Sequence, residues 1–272
     1  MIPALAFLYG TLLGSFLNVC IFRLPRGSSI VFPGSACPIC KAPVRWWQNI
    51  PVIGWLLLGG KCASCGSRIS FRYPAVEILC GLLMVLVWRS DAPAIVAAWG
   101  SPFFHFYERF DAVAIFARDL IFVSLLVVIT LIDWDYQLIL DVTTYSGIVI
   151  GLAAAALQRR FLVSLAAAAA AALFFYAVRV VGEFVFLREA MGEGDVKLAA
   201  MLGAFMGPHG TIIAVILSFP IGIAIALALI VVGMKSRKDY IPFGPAMAIA
   251  GFVTMFWGER LLVWYLRFRF GM

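Results

Sequence analysis

Long apolar runs recur along the whole chain, and they restrict its fold more than any other feature. A run of about 20 apolar residues is long enough to cross the hydrocarbon core of a bilayer as a helix. The sequence is 64% hydrophobic and 13% charged, with a mean hydropathy of +1.02. A soluble domain carries about 25% charged residues. The sequence therefore predicts an all-α polytopic membrane protein.

The charged and proline-containing segments between the runs divide the chain into about eight transmembrane helices, with both termini outside. The predicted helices cover residues 2–22, 75–88, 112–132, 142–157, 161–186, 196–207, 211–233 and 245–262. Residues 89–111 are predicted to form a mixed-charge loop on the far side. The first run has no basic start and no small-residue cleavage site, so we expect a retained helix rather than a signal peptide.

The basic residues indicate the orientation of the chain rather than a nucleic-acid partner. The net charge is +7, but the cations cluster beside apolar runs and not on one polar face. Residues 23–74 carry seven basic residues and no acid, together with several prolines. They predict a small cytoplasmic domain, in which the apolar run 53–58 is too short to span and can lie on the bilayer surface. Residues 235–238 favour the same side, whereas Arg159, Arg160, Arg267 and Arg269 depart from this rule.

Four of the six cysteines form two Cys-x-x-Cys pairs within this segment. They are Cys37 with Cys40 and Cys62 with Cys65, and 21 residues separate the pairs. Two such pairs can surround a zinc ion with four thiolates. A redox site needs only one pair, and disulfides are rare in the cytoplasm. The spacing predicts a structural zinc that holds together a domain with little core of its own.

Two carboxylates stand at predicted helix ends on the same side of the membrane. Asp133 ends one span, and Asp195 precedes the span that starts at Val196. If packing brings them together, they can share one proton, so that one activates water while the other polarises a carbonyl. The positive end of a helix favours an ionised Asp195, and a C-terminal helix end favours a protonated Asp133.

Simpler interpretations of these residues stay open at this point. Asp195 can be an ordinary helix N-cap, with glycines that supply the turn. Asp135 and Asp141 are placed as well as Asp133, and Lys197 is either a boundary cation or a neighbour that tunes Asp195. Membrane carboxylates also serve as proton or ion sites in transporters and channels. A scaffold whose tetracysteine domain binds partner proteins is a third alternative.

The motifs nevertheless resemble one family along nearly the whole chain. Gly192-Glu-Gly-Asp195-Val-Lys197 is similar to the Gly-x-Gly-Asp signature of intramembrane aspartic proteases, in the form found in prepilin peptidases. Leu140 departs from the pattern, because the family usually has proline before that aspartate. The other similar segments are Gly14 to Pro25, the cysteine tetrad, Arg72-Tyr-Pro74 with Glu77, Asp133 to Asp141, and Pro242-Phe-Gly-Pro245.

The resemblance implies a bifunctional enzyme of the bacterial inner membrane. It would cut the basic leader from type IV prepilins and type II secretion pseudopilins, after glycine and before phenylalanine. It would then methylate the new N-terminus with S-adenosylmethionine. The implied catalytic residues are Asp133 and Asp195, with Asp135 and Asp141 as spectators.

The resemblance also implies a division of the chain. Residues 1–22 would be the first transmembrane helix, 23–74 the zinc domain linked to methyl transfer, and 75–272 the transmembrane peptidase domain. Gly60 and Glu77 are candidates for the methyl-donor site. Supporting or substrate-binding roles fall to Gly192, Glu193, Gly194 and Lys197, whose glycines would leave room for the substrate backbone. Acids at Glu193, Asp135 and Asp141 are expected to attract a basic leader.

Overall fold

The regular structure is helical throughout the residues that the computed structural model describes, which are 2–100, 106–187, 191–234 and 242–270. The helices are α1 (Ile2–Arg23), α2 (Ile53–Leu57), α3 (Arg72–Gly100), α4 (Phe106–Tyr136), α5 (Asp141–Leu157), α6 (Phe161–Phe186), α7 (Glu193–Val231) and α8 (Gly244–Phe270). Among them, α1, α3, α4, α6, α7 and α8 are long and apolar enough to cross a membrane. The predicted all-α multi-pass fold is confirmed.

The chain forms two compact units, residues 1–100 and 101–272. In the first unit α1 and α3 pack closely because glycines remove side chains from their contact. A Cβ atom at Gly10 would lie 2.6 Å from the carbonyl oxygen of Cys80, and one at Gly14 would lie 2.8 Å from Cα of Glu77. Small residues allow such close approach between membrane helices. Asn18 Nδ2 also donates a hydrogen bond of 3.1 Å to the Tyr73 carbonyl.

The predicted loop over residues 89–111 is wrong over most of its length. Helix α3 continues to Gly100, with Pro93 inside it, and α4 has already begun at Phe106. A helix can extend beyond the hydrocarbon core and carry charged residues there. The mixed charge of this segment therefore indicated where the membrane ends, and not where the helix ends. Residues 235–238, which the sequence places on the cytoplasmic side, lie outside the described residues.

Helix α7 contains two segments, as the sequence predicts, and Gly207 separates them. Its backbone angles of φ 65° and ψ −173° interrupt the helix and belong to a region that glycine alone occupies readily. The segment 193–206 runs parallel to α8. Asp133 is near the start of both helices, through Asp195 and Gly244, and Leu202 packs against Gly251 further along both. The segment 208–231 runs back, since Gly222 packs against Phe243 and Ala246 at the start of α8.

The core of the second unit lies between α4, α6, α7 and α8. Phe122 of α4 stacks on Phe205 of α7, with ring centroids 4.6 Å apart. Leu202 and Met247 are fully buried nearby. Gly203 of α7 leaves space for the backbone of Ala168 in α6. This packing gathers the end of α4 and the beginnings of α7 and α8 at one end of the unit.

Candidate active site

Two buried carboxylates meet where these helix ends gather. Asp133 lies in the last turn of α4 and is 4% exposed, and Asp195 lies in the first turn of α7 and is 3% exposed. The two carboxylates are close enough to interact electrostatically. Paired buried carboxylates can hold one proton between them, so that one acts as a base and the other as an acid. Helix packing thus brings together two carboxylates that the sequence placed only on the same side of the membrane.

Asp195 is held differently from the predicted N-cap. Helix α7 begins at Glu193 rather than Val196, and the N-cap residue is Gly192, with an extended backbone at φ −71° and ψ 151°. Asp195 is the third helical residue, and its carboxylate lies near the Gly192 backbone amide. Asp195 still faces the positive end of the helix.

Asp133 is held by a residue to which sequence reasoning gave no role. Its carboxylate lies against the backbone of Gly244, the first residue of α8. A Cβ atom at position 244 would lie 2.5 Å from Asp133 Oδ2, which is well inside van der Waals contact. The available signal was the motif Pro242-Phe-Gly-Pro245, whose glycine allows this approach.

The second glycine of the Gly192–Asp195 turn has a packing role. A Cβ atom at Gly194 would lie 2.6 Å from Cβ of Ile139, and Cδ1 of Ile139 also approaches Gly244. The space beside Gly194 is therefore filled by the chain itself. Leu140, where proline was expected, has φ −76° and ψ 133° as the N-cap of α5. Proline would adopt the same φ, so the turn persists without it.

Ion pairs connect both flanks of Asp195 to neighbouring helices. Lys197 Nζ lies 2.5 Å from Asp141 Oδ1 at the start of α5, and 5.4 Å from the centroid of the Tyr145 ring. Arg179 of α6 lies 3.1 Å from Glu193 and 2.8 Å from Glu183. Sequence reasoning missed Arg179 and treated Asp141 as a spectator. The sequence signal for these ion pairs was the presence of opposite charges near one predicted membrane edge.

The four predicted metal ligands converge in the first unit. The Sγ atoms of Cys37, Cys40, Cys62 and Cys65 all lie within 4.8 Å of one another. The Cys37–Cys65 and Cys40–Cys62 distances are both 3.9 Å. Four thiolates at about 2.3 Å from a zinc ion lie roughly 3.8 Å apart, so the cluster fits a tetrahedral metal site.

The two halves of this cluster are built alike. The Cys37 amide donates to the Ala42 carbonyl at 2.9 Å, and the Cys62 amide donates to the Ser67 carbonyl at 2.8 Å. The residue after each second cysteine has positive φ, 59° at Lys41 and 70° at Gly66. Such turns direct backbone amides toward the sulfurs.

Those amides favour the thiolate form that binds metal. The backbone N–H groups of Cys40 and Ile39, with the Ser67 hydroxyl, lower the pKa of Cys37 to about 6. Hydrogen bonds from the Ser67 side chain and backbone also lower the pKa of Cys65. Thiolate is the ligand form, so these contacts favour metal binding at Cys37 and Cys65. At Cys40 the Ala42 backbone lowers the pKa, but desolvation and hydrogen bonds to the other three cysteines outweigh it and raise the pKa to about 11.

A cavity of about 500 Å³ is lined by residues that precede and follow the second pair of cysteines in the chain. Aromatic rings, glycines and two cations line it, and Gly60 is among them. The Gly60 Cα packs against the Trp55 indole, where a Cβ atom would lie 2.8 Å from the ring. The lining residues are Trp55, Gly59, Gly60, Lys61, Arg68, Ile69, Ser70 and Phe71.

Glu77, the other candidate for the donor site, does not line this cavity. It is buried in α3, and its Oε2 accepts a hydrogen bond of 2.7 Å from the Val52 amide. The Ser15 side chain of α1 lies near its carboxylate. Glu77 thus connects α1 and α3 to the residue that precedes α2.

Comparison with known proteins identifies the family. The sequence model of the bacterial peptidase A24 N-terminal domain matches residues 8–90, and that of the type IV leader peptidase family matches residues 120–227. The chain is 33% identical to a prepilin leader peptidase/N-methyltransferase of Stutzerimonas stutzeri, over 97% of the chain and 93% of the relative. It is 34% identical to proteins of that name from Pseudomonas aeruginosa, over 96% and 92%, and Legionella pneumophila, over 95% and 92%. No solved structure matches. The chain belongs to the type IV leader peptidase family.

Proposed function

We propose that this chain is a bifunctional membrane enzyme, which removes the leader peptide from prepilins and methylates the new N-terminus. The buried pair Asp133 and Asp195 carries the peptidase half of the proposal. The names of relatives that span almost the same length support both halves. The observed motif Gly192–Lys197 lies at the helix start that positions one member of the pair.

The cleavage we propose is aspartic protease chemistry. One carboxylate of the pair, ionised, takes a proton from a water molecule as that water attacks the scissile carbonyl carbon. The other carboxylate, protonated, donates its proton to the carbonyl oxygen, which gives a gem-diol intermediate. The first carboxylate then passes the proton that it took from water to the leaving amine, and the second recovers a proton from the gem-diol as the C–N bond breaks. No covalent intermediate with the enzyme forms. Asp195 at a positive helix end favours the role of base, with Asp133 as the acid.

The substrate reaches this pair from the membrane. A prepilin is itself a membrane helix with its leader at one end, so the bond between glycine and phenylalanine arrives at the membrane edge. The proposed edge is cytoplasmic, in a bacterial inner membrane, as the acid-free residues 23–74 indicate. Glu193 and Asp141 already pair with Arg179 and Lys197. Attraction of a basic leader by these acids would require it to compete with those pairs.

The methyl-transfer half is assigned to the tetracysteine domain, with zinc as a structural ion. The cysteines would hold zinc, and the Gly60 cavity would hold S-adenosylmethionine, which supplies an electrophilic methyl group. Trp55 and Phe71 offer aromatic surfaces for the adenine or the sulfonium, and Lys61 and Arg68 offer charge for the carboxylate. Glu77 does not line the cavity. Its carboxylate binds the backbone amide of Val52, the residue that precedes α2.

Processing of a co-expressed prepilin tests the peptidase assignment. Wild type, Asp133→Asn and Asp195→Asn are compared on a gel, with Asp111→Asn as a control outside the pair. We expect leader removal in wild type and the control, and none in either pair variant. Normal processing by Asp133→Asn or Asp195→Asn would end the proposal of a catalytic pair. If the chain were a transporter, the prepilin would stay uncut in wild type and in every variant.

Photo-crosslinking of radiolabelled S-adenosylmethionine tests the donor site. Phe71→Ala removes a ring that is 64% exposed from the cavity, and Phe32→Ala removes a ring that is 76% exposed elsewhere in the same domain. We expect label to be lost in Phe71→Ala and kept in Phe32→Ala. Undiminished labelling of Phe71→Ala would place the donor elsewhere.

A further inference from the structure

Helix α2 has one face inside the tetracysteine domain and one outside it. On the inner face, Gly54 packs directly on the backbone of Gln48. Trp55 Nε1 donates a hydrogen bond of 3.1 Å to the Ile69 carbonyl and its ring meets Phe71 edge-on. The outer face carries Ile53, Leu56 and Leu57, which we call the α2 apolar face.

The α2 apolar face is strongly exposed. Leu57 is 70% exposed, Leu56 is 62% exposed and Ile53 is 51% exposed. Trp46, on the turn against which α2 packs, is 81% exposed. Ile53 lies about one turn before the adjacent Leu56 and Leu57, so the three side chains share one face of α2. Exposed apolar and aromatic side chains of this kind are typical of segments that insert into a membrane interface.

Charge identifies what can cover the α2 apolar face. The segment 23–74 has seven cations and no carboxylate, so it attracts an anionic surface and repels a basic leader peptide. Both ends of the segment join membrane-spanning helices, at Arg23 and Arg72. The segment therefore stays next to the lipid headgroups. Each Lys or Arg beside an anionic leaflet raises the affinity for it about fivefold.

We propose that the α2 apolar face inserts into the headgroup region of the bilayer and that the surrounding cations select anionic phospholipid. The cations supply the charge, and the leucines and Trp46 supply the buried area. A role of this kind would hold the tetracysteine domain at the membrane edge, and it does not depend on the domain's part in methyl transfer.

Hydrogen exchange of the full-length protein in nanodiscs tests the proposal. We compare phosphatidylcholine alone with a mixture containing phosphatidylglycerol, and follow the amides of residues 53–58. We expect exchange to slow at least about fivefold in the anionic bilayer. Leu56→Glu combined with Leu57→Glu should abolish that difference, and Lys41→Gln combined with Lys61→Gln should reduce it.

The matched control is Ile39→Glu, which alters an exposed apolar residue of the first cysteine pair. It should leave the lipid dependence of residues 53–58 unchanged, and an equal loss would contradict the assignment to α2. Metal content and the protease resistance of residues 35–70 check that each variant is folded. Exchange that is equally slow in both bilayers and in detergent would show that protein, and not lipid, covers the α2 apolar face.

Discussion

At the scale of single residues, two glycines matter because a side chain at either position would collide with neighbouring groups of the site. Gly244 lets its backbone approach the Asp133 carboxylate, and Gly194 lets the turn before Asp195 close over Ile139. Reacting groups must be held within a fraction of an ångström, since a displacement of about 1 Å costs on the order of 100-fold in rate. A methyl group at either position therefore affects the catalytic pair, although neither glycine reacts.

Gly244→Ala tests this directly. The added Cβ would lie 2.5 Å from Asp133 Oδ2, so the carboxylate or the start of α8 must move. We expect prepilin cleavage to fall about 10- to 100-fold, by comparison with the cost of a displacement of about 1 Å. The measurement is the initial rate of leader removal by purified enzyme. Gly34→Ala is the control, because a Cβ atom there meets nothing within 4 Å, and it should keep the wild-type rate.

At the scale of helices, ion pairs orient the start of α7. Lys197 is tied to Asp141 of α5, and Glu193 is tied to Arg179 of α6. Exposed pairs contribute little to stability, about 0.2–1 kcal/mol each. Their value here is positional, because they lie two residues on either side of Asp195.

Exchange of the charges at positions 141 and 197 tests whether the ion pair acts by orienting the start of α7 or whether either charge acts by itself. We expect Asp141→Lys and Lys197→Asp each to lower kcat/KM for a prepilin roughly two- to fivefold, which corresponds to the energy of an exposed pair. The double variant should recover most of that loss, because the opposite pair can form again. No recovery in the double variant would mean that one of the two side chains meets the substrate itself.

Gly207 is the element-scale feature that divides α7 into two segments. Its φ of 65° with ψ −173° would cost an alanine about 1–3 kcal/mol. We expect Gly207→Ala to lower the thermal unfolding midpoint in detergent, whereas Pro208→Ala, at the first position of the next segment, should have little effect. Equal midpoints for Gly207→Ala and wild type would show that the break is not needed.

At the scale of the whole molecule, the two proposed activities fall in different compact units. The carboxylate pair and the residues that hold it belong to residues 101–272, and the four cysteines and the Gly60 cavity belong to residues 1–100. A structural metal supplies much of the folding energy of a small domain. Loss of the metal should therefore affect one activity far more than the other.

Metal removal tests this separation. We expect a chelator, or Cys62→Ser combined with Cys65→Ser, to abolish methyl transfer and to make residues 35–70 sensitive to protease. Leader removal should stay within about twofold of wild type, because Asp133 and Gly244, the described residue that approaches its carboxylate, belong to the other compact unit. Zinc added back to the chelated protein should restore methylation. Parallel loss of both activities would argue against two independent units.

The sequence by itself determined the class of fold and the chemistry available to it. Apolar runs of membrane length leave only helices to satisfy the backbone, and they predicted the eight segments, including both segments of α7. Two Cys-x-x-Cys pairs predicted a four-thiolate cluster, which the structure assembles. These features were readable because they depend on length and local spacing. The proposed division of function between residues 23–74 and 75–272 stays a prediction.

Only the tertiary structure decided which distant groups meet. It brought Gly244 to Asp133 across more than 100 residues, joined Asp141 to Lys197 and Arg179 to Glu193, and moved Asp195 from the predicted N-cap into the first turn. It also carried α3 to Gly100 through the charged residues predicted as a loop. The physical reason is common to the three contacts. Hydropathy specifies how deep a residue lies in the membrane, but helix packing specifies its neighbours, and catalysis depends on the neighbours.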